Sequence, residues 1–137
     1  MPTGGGSTEP EPAASRVVRV LIVDDDARVR EGLRTLLALD RRLRVVGEAA
    51  SAAEALALAA TRRPDVVLLD LELAAEHSFA LLGHLRQAAL AVIALAVYPD
   101  SAAEALAAGA SACLLKDAPR QDLLAAIHAA HAQRARS

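Results

Sequence analysis

The stretch VLIVDDD, at Val20–Asp26, places four apolar residues directly before three consecutive carboxylates. Three of the four apolar residues are β-branched and none alternates with a polar residue, which is typical of a strand buried on both faces. Apolar residues then recur at helical spacing between Val29 and Leu37, which predicts a helix over Ala27–Leu39. The folded part of the sequence thus begins with a buried strand, an acidic turn and an amphipathic helix.

The same pattern of strand and helix recurs to the end of the chain. Apolar strands that alternate with helices predict a parallel sheet with helices on both faces, and right-handed crossovers leave few arrangements for it. We therefore predict an α/β fold of the flavodoxin-like (βα)5 type, with a parallel five-stranded sheet in the order 2-1-3-4-5. The predicted strands are Val17–Val23, Leu43–Gly47, Val66–Leu69, Ala91–Val97 and Ala112–Leu115, and the predicted helices are Ala27–Leu39, Ala52–Arg62, Phe79–Gln87, Ser101–Ala108 and Arg120–Arg134.

The segment SAAEALA occurs twice, at Ser51–Ala57 and at Ser101–Ala107. Two copies do not make a solenoid, which needs three or more repeats. In the first copy, Ser51 and Glu54 have the spacing of a capping box, in which the serine caps the helix and the glutamate reaches back to its start. We expect both helices to begin with this same arrangement.

Length, composition and charge favour one soluble, cytoplasmic domain. The chain has 137 residues and a net charge of −2, from 15 basic and 17 acidic side chains, so it lacks a general positive field for binding nucleic acid. The single cysteine, Cys113, excludes an internal disulfide and a cysteine-rich metal site. No signal peptide or membrane-spanning run is evident in the sequence. Residues 1–15, rich in Gly, Pro, Ser and Glu, predict a disordered tail before a domain at 16–137.

The histidines are expected to be solvated surface residues: His77, His84, His128 and His131.

Charged residues stand at the carboxyl ends of three predicted strands. The first strand is followed by Asp24, Asp25 and Asp26, the third by Asp70 and the fifth by Lys116. In an open parallel sheet, sites form beyond these ends, at the point where the strand order reverses. Because the first and third strands are neighbours in the predicted order, their carboxylates should meet there, with the lysine at the same edge.

The predicted group of carboxylates indicates a site for phosphoryl chemistry. Carboxylates in one pocket repel each other unless one takes a proton or a cation joins them, and oxygen ligands at a partly open edge suit Mg²⁺. A carboxylate beside a divalent cation and an ammonium group can attack phosphorus and form an aspartyl phosphate. Plainer roles exist for single residues: Asp26 is our candidate for the N-cap of the first helix, Asp70 suits a turn, and Lys116 suits a solvated side chain. Their joint position at three strand ends favours the site.

Three motifs resemble the response-regulator receiver domain of bacterial two-component systems: VLIVDDD, PDVVLLDLEL at Pro64–Leu73 and GASACLLKD at Gly109–Asp117. The run VDDDARVREGLRTLL is similar to NarL/FixJ-type regulators in particular, and the resemblance extends from Arg16 to about Arg134. It implies a signalling domain rather than an enzyme, a histidine kinase as partner and Mg²⁺ as cofactor. The implied site residues are Asp70 as phosphoacceptor, Asp25, Asp70, the backbone carbonyl of Glu72 and, largely through water, Asp24 as metal ligands, and Lys116 as partner of the phosphoryl oxygens.

The sequence departs from this family at the positions that respond to phosphate. Family members carry Thr or Ser at the end of the fourth strand, where this chain has Ala96, and an aromatic residue in the fifth strand, where it has Cys113. Val97 replaces a small residue, and LAAEHS stands where MPGMDG is usual, with Ala74 for Pro and Ser78 for Gly. Alanine has no hydroxyl to bond a phosphoryl oxygen. We therefore expect the phosphate chemistry to be kept and the conformational switch to be atypical.

Two other functions stay open at this point. A phosphorylation-independent receiver would bind a second copy or a downstream protein through its fourth and fifth helices, as the residues Ala96 and Cys113 suggest. A phosphatase of the haloacid-dehalogenase type would use Asp70-Leu71-Glu72 in place of a DxD motif, and turnover of a phosphate ester would reveal it. We expect no direct nucleic-acid partner and no membrane. NarL/FixJ-type regulators normally continue into a helix-turn-helix output domain, and we expect none in this chain, which stops at Ser137.

Overall fold

The structure, a computed structural model, describes residues 17–73 and 78–136. Its strands are β1 (Val18–Val23), β2 (Leu43–Ala49), β3 (Val66–Asp70), β4 (Ala91–Ala96) and β5 (Ala112–Leu115), and its helices are α1 (Ala27–Leu37), α2 (Ala52–Arg62), α3 (Ser78–Gln87), α4 (Ser101–Ala107) and α5 (Arg120–Arg136). The five strands form one parallel sheet in the order β2-β1-β3-β4-β5, which confirms the predicted flavodoxin-like (βα)5 fold. The predicted tail at 1–15 and the substituted loop position Ala74 lie outside the described residues.

Two apolar layers pack against the sheet, one on each face. Because successive residues of a strand point to opposite faces, Leu21 and Val23 of β1 face one layer, and Val20 and Ile22 face the other. Helices α2, α3 and α4 contribute to the first layer, and helices α1 and α5 contribute to the second. Every residue of β3 and β4 is buried, so these central strands are covered on both faces, as their unbroken apolar pattern predicts.

The predicted boundaries differ from the structure by at most two residues, and one difference matters for the site. Strand β2 continues past Gly47 to Ala49, so Glu48 is a strand residue. The register with β1 shifts between Val20 and Leu21, and a Cβ on Gly47 would lie 3.3 Å from Leu21 Cδ1. Glycine therefore fits this irregularity closely, and the strand runs on beyond it.

The two SAAEALA segments begin their helices differently, and the expectation of a shared capping box is wrong. Ser51 has an extended backbone, its side chain accepts from the N–H of Glu54 at 3.2 Å, and the carboxylate of Glu54 accepts from a backbone N–H at the helix start. In α4 the N-cap is Asp100, whose backbone is already helical (φ −62°, ψ −21°) and whose side chain makes no cap bond. The chain enters α4 through a turn in which the N–H of Ser101 donates to Tyr98. Ser101 therefore lies inside the helix rather than capping it.

Helices α3 and α4 end in the same kind of turn. After α4, the N–H groups of Gly109 and Ala110 donate to the carbonyls of Leu106 and Ala105, and Gly109 has φ 115°. After α3, Ala89 occupies the corresponding position with φ 65°. This turn requires a left-handed backbone, which glycine adopts freely and alanine does not. Ala89 is thus a strained position.

The histidines of α5 are not solvated as expected. His131 is 5% exposed because it lies on the buried side of α5. His128 Nε2 donates to Asp40 Oδ2 at 2.9 Å. His84 is exposed, and His77 lies outside the described residues. Across the described ranges, no helix has both the length and the apolar character that crossing a bilayer requires.

Candidate functional site

Three carboxylates from two neighbouring strands meet at the carboxyl edge of the sheet. One oxygen from each of Asp24, Asp25 and Asp70 lies within 4.8 Å of the other two. Asp24 and Asp70 are each 1% exposed, whereas Asp25 is exposed. The structure therefore brings together the acidic residues that the strand order predicts to be neighbours.

The three consecutive aspartates after β1 differ in their burial and in their hydrogen bonds. The N–H of Asp24 donates to Ala49 at 3.0 Å, which extends the pairing of β1 with β2 by one residue and holds Asp24 inside. Asp24 Oδ1 accepts from the N–H of Asp26 at 2.9 Å. Asp26 Oδ1 accepts from the N–H of Arg28 at 2.9 Å, which confirms it as the N-cap of α1. Asp25 lies between the buried aspartate and the capping one.

Asp70 and Lys116 form a direct ion pair. Lys116 Nζ lies 2.8 Å from Asp70 Oδ1 and 3.5 Å from Asp24 Oδ2. The N–H of Lys116 donates to Ala96 at 2.8 Å, so the backbone fixes the lysine beside the end of β4. Asp70 Oδ1 also accepts from the N–H of Glu72 at 2.9 Å. One oxygen of Asp70 thus has two donors, and neither contact uses Oδ2.

The charges in the site shift the affinity of its groups for protons. Burial raises the pKa of Asp24, and the charge of Asp70 raises it further, although a hydrogen bond from the backbone of Asp26 opposes both. Burial alone would lower the pKa of Lys116, but the hydrogen bond to Asp70 and the charges of Asp70 and Asp24 outweigh burial and raise this pKa. Lys116 therefore keeps its proton, and its positive charge partly offsets the negative charges of two buried carboxylates.

The donor set fits a hard divalent cation. All three clustered ligand atoms are carboxylate oxygens, which Mg²⁺ prefers. Among the described residues, the buried Asp24 Oδ2 accepts no hydrogen bond, and its cationic neighbour is the ammonium group of Lys116 at 3.5 Å, which Asp70 shares; a buried carboxylate oxygen is costly to leave without donors or sufficient positive charge. Receiver domains generally bind Mg²⁺ at an acidic group of this kind. The residues present therefore suit the cofactor that the motifs imply.

The two positions that the resemblance assigns to a switch, Ala96 and Cys113, are apolar or nearly so. Ala96 ends β4 and is fully buried, and Cys113 pairs with Ala94 in the sheet. Cys113 is partly buried against the layer of α2, α3 and α4, and this burial raises the pKa of its thiol. Beyond Ala96, the side chains of Val97 and Tyr98 are exposed. Neither switch position offers a hydroxyl or an aromatic ring.

A pair of residues that the sequence did not single out supports the acidic turn. Arg30 Nη1 donates to the backbone carbonyl of Asp24 at 2.7 Å, and Arg30 Nε lies 3.4 Å from Glu48 Oε1. Glu48 is also bound by Arg34. Helix α1 and strand β2 thus both hold the turn that carries Asp24. The only sequence signal was an arginine one turn into α1, and Glu48 was missed because the predicted strand stopped at Gly47.

The chain belongs to the response regulator receiver domain family. The family matches residues 20–128, which include Asp24, Asp25, Asp70 and Lys116. Receiver domains of this family are signalling domains of two-component systems. Their characteristic fold, five parallel strands in the order 2-1-3-4-5, is the fold observed here.

Similar proteins assign the chain to the NarL type within this family. It is 33% identical over 117 residues to the nitrate/nitrite response regulator protein NarL of Escherichia coli (strain K12), covering 82% of this chain and 54% of that protein. It is 40% identical over 115 residues to the DNA-binding transcriptional activator DevR/DosR of Mycobacterium tuberculosis, covering 81% of this chain and 53% of that protein. The chain thus spans about half the length of these curated relatives. Methylesterase relatives match over less: in the Pyrococcus abyssi protein-glutamate methylesterase, 62 residues and 17% of that protein.

Solved structures agree with this assignment. A two-component response regulator of the LuxR family from Aurantimonas sp. SI85-9A1 superposes with a TM-score of 0.80 at 34% identity, covering 86% of this chain and 87% of that one. The signal receiver domain of the putative response regulator NarL from Mycobacterium tuberculosis gives a TM-score of 0.73 at 32% identity, covering 89% of this chain and 98% of that one. Both similarities extend over nearly the whole described chain.

Proposed function

We propose that the chain is a phosphoacceptor, in which Asp70 takes a phosphoryl group from a phosphohistidine of a histidine kinase. The observation that supports this most directly is the geometry of Asp70. Its Oδ1 is held by Lys116 Nζ at 2.8 Å and by the N–H of Glu72 at 2.9 Å, while Oδ2 takes part in neither contact. A carboxylate that is fixed by one oxygen can present the other as a nucleophile.

The proposed transfer exchanges one bond to phosphorus for another. An oxygen of Asp70 bonds to phosphorus, the bond from phosphorus to the imidazole nitrogen of the kinase breaks, and that nitrogen keeps the electron pair. The products are an aspartyl phosphate and a free histidine. Lys116 offsets negative charge on the phosphoryl oxygens. Because Lys116 is already held between Asp70 and Asp24, its ammonium group needs little reorganisation during the transfer.

Mg²⁺ would be held directly by Asp25, Asp70 and the backbone carbonyl of Glu72. Asp24 would bind the cation largely through water. When bound, the cation supplies positive charge that stabilises the phosphoryl oxygens and the surrounding carboxylates. The buried Oδ2 of Asp24 accepts no hydrogen bond from the described residues and shares the ammonium group of Lys116 with Asp70, which supports this proposal. Arg30 would act indirectly, by holding the backbone of Asp24.

We further propose that the response to the phosphoryl group is atypical. Ala96 offers a methyl group at the position from which a hydroxyl would bond a phosphoryl oxygen, and Cys113 offers a thiol in place of an aromatic ring. A hydrogen bond to a charged group contributes about 1.5–3 kcal/mol. Without this hydrogen bond, the factor by which phosphorylation shifts the equilibrium constant between two conformations should be smaller by about one to two powers of ten.

A second candidate function, protein binding without phosphate, is favoured by the surface beside these positions. Val97, Tyr98, Leu106 and Leu115 are large apolar residues that are 37–64% exposed. They lie after β4, on α4 and at the end of β5, where a second copy or a downstream protein could cover them. Light scattering of the unphosphorylated chain and of Leu106→Glu would show whether this surface forms a homodimer.

Intact mass after incubation with acetyl phosphate and Mg²⁺ tests the phosphoacceptor proposal. We expect the chain to gain the mass of one phosphoryl group, to lose this gain when EDTA replaces Mg²⁺, and to lose it in Asp70→Asn. Asp122→Asn is the matched control, because it removes an exposed carboxylate from α5 and should leave the gain intact.

No gain by the folded chain, or an equal gain by Asp70→Asn, would contradict the proposal. A gain that is independent of Mg²⁺ would contradict the role of the cation alone. Continuous release of phosphate from a phosphate ester would instead support the phosphatase alternative.

A further inference from the structure

A polar cavity lies at the opposite edge of the sheet from the carboxylate cluster. It has a volume of about 750 Å³ and opens beside the starts of β4 and β5, between the ends of α3, α4 and α5. The polar side chains at its wall are Asp65, Arg86, Ser111, His131, Gln133 and Arg134. None of them belongs to the phosphoacceptor site.

Among the described residues that line this cavity, Asp65 is the only carboxylate, and both of its oxygens accept hydrogen bonds. Asp65 Oδ1 accepts from Arg134 Nη1 at 2.9 Å, and Asp65 Oδ2 accepts from the backbone N–H of Arg19 at 2.9 Å. Among the described residues, no acidic side chain pairs with Arg86. The two arginines and one aspartate therefore give the wall a net positive charge, in a chain whose net charge is −2.

The turns after α3 and α4 each contact one arginine of the cavity wall. Gly109 lies so close to Arg86 that a Cβ on it would be 2.3 Å from Arg86 Cδ, so the absence of a side chain at Gly109 lets the stem of Arg86 lie across this turn. In the corresponding turn after α3, the carbonyl of Ala89 accepts from Arg134 Nε at 2.8 Å. Two left-handed turns, one of them strained at Ala89, thus contact the two arginines. The turn after α4 packs against the stem of Arg86, which is an exposed residue, and the turn after α3 binds the guanidinium group of Arg134.

The remaining wall defines the rest of the ligand. Apart from the imidazole of His131, the described part of this wall is aliphatic and small, with Leu90 and several alanines, and it includes no Phe, Tyr or Trp ring on which a nucleobase could stack. The volume is in the range of small-molecule pockets. Guanidinium groups bind carboxylates and phosphates through paired hydrogen bonds, and the hydroxyl of Ser111 adds a further donor.

We propose that this cavity binds a small organic anion with a carboxylate or phosphate head and an aliphatic body. Arg86 binds the head, Arg134 stays paired with Asp65 and shapes the wall, and the body lies against Leu90 and the alanines. The site is separate from Asp70, so binding there needs neither phosphorylation nor Mg²⁺. It offers the receiver a chemical input distinct from its kinase.

Titration of the ¹⁵N-labelled full chain by NMR, with EDTA present, tests the proposal. The probes are hexanoate and hexyl phosphate, with inorganic phosphate as the head alone and hexanol as the body alone. We expect saturable shifts of the amides of Ala89, Gly109 and Ser111 with hexanoate or hexyl phosphate, and much weaker ones with phosphate or hexanol. Arg86→Gln should weaken binding at least about tenfold, as the loss of a charge-assisted hydrogen bond predicts.

Two variants serve as controls. Arg120→Gln removes an exposed arginine from the far end of α5 and should change the affinity less than about twofold, since its charge is screened at that distance. Asp70→Asn should bind the probes unchanged, which separates this site from the phosphoacceptor. Absence of saturable shifts at these amides up to about 10 mM probe, an affinity weaker than about −3 kcal/mol, would overturn the proposal. Equal weakening in Arg86→Gln and Arg120→Gln, or equal binding of hexanol, would overturn it as well.

Discussion

Replacing Lys116 with methionine should expose the repulsion between the two buried carboxylates. Lys116 Nζ lies 2.8 Å from Asp70 Oδ1 and 3.5 Å from Asp24 Oδ2, and both aspartates are 1% exposed. Methionine keeps the apolar length of the side chain and removes only the ammonium group. Two buried negative charges then face each other without a cation.

The expected loss follows from these distances. Carboxylate oxygens no more than 4.8 Å apart repel by at least about 3.5 kcal/mol at an effective dielectric constant of about 20. Removing one partner of a fully buried ion pair typically costs about 3–5 kcal/mol, but 27% of the Lys116 side chain is exposed, and water screens part of the effect. We expect Lys116→Met to lower the free energy of unfolding by about 2 kcal/mol in the absence of divalent cations.

Urea unfolding followed by circular dichroism, with EDTA or with excess MgCl₂, measures this loss. Mg²⁺ bound to the folded state stabilises it in proportion to the logarithm of its concentration over its dissociation constant. The loss in Lys116→Met should therefore shrink in MgCl₂, because a cation among the carboxylates replaces the missing ammonium charge. Arg120→Met, which removes an exposed cation, should stay within about 0.5 kcal/mol of the parent chain. An unchanged stability in EDTA, or the same loss with and without Mg²⁺, would refute the reasoning.

Three further predictions concern other parts of the molecule. Ala89→Gly should raise the free energy of unfolding by about 0.5–1 kcal/mol, because it relieves about 1–2 kcal/mol of left-handed strain against about 0.4–1 kcal/mol of added unfolded-chain entropy; Ala108→Gly, at φ −79°, should lower it, and urea unfolding compares the two. Arg30→Met should weaken Mg²⁺ binding about twofold to tenfold in calorimetry, because one hydrogen bond to the acidic turn is worth about 0.5–1.5 kcal/mol. The hydrogen bond from His128, with one from the backbone of Arg42, lowers the pKa of Asp40 to about 2, so its stabilising effect is complete above pH about 4 and is lost as the pH falls through about 2. Asp40→Asn should reduce the change in unfolding free energy over that range, and an identical pH profile would contradict this.

The sequence could predict the fold and the place of the site because both depend on residues adjacent in the chain. Asp24 follows β1 and Asp70 ends β3 whatever packs around them, and right-handed crossovers bring those two strands side by side. The cap formed by Asp26 was predictable for the same reason, since it bonds to a backbone N–H two residues away. The position of Lys116 was predictable because it follows β5, whose carboxyl end lies at the same edge of the sheet as the carboxyl ends of β3 and β4.

The parts that the sequence missed depend on partners distant in the chain. The pair of Arg30 and Glu48 forms only because β2 runs on past Gly47, and this depends on pairing with β1 rather than on local propensity. His131 was expected to be solvated because an alanine-rich helix shows little contrast between its faces, so the pattern of α5 does not reveal its buried side. The cavity beside Arg86 needs the ends of three helices, which no local pattern brings together.

The proposed function separates the attachment of phosphate from the response to it. The groups proposed to serve the attachment of phosphate, Lys116 and the carboxylates of Asp24 and Asp70, are in contact in the structure. A ligand shifts a conformational equilibrium only as far as it contacts the two states differently, and the methyl group of Ala96 makes no hydrogen bond in either state. Any response to phosphate at Asp70 must therefore pass through Lys116 or the backbone around β4. A chain that gains the phosphoryl group and keeps the amide shifts of α4 unchanged would combine a working acceptor with a silent switch.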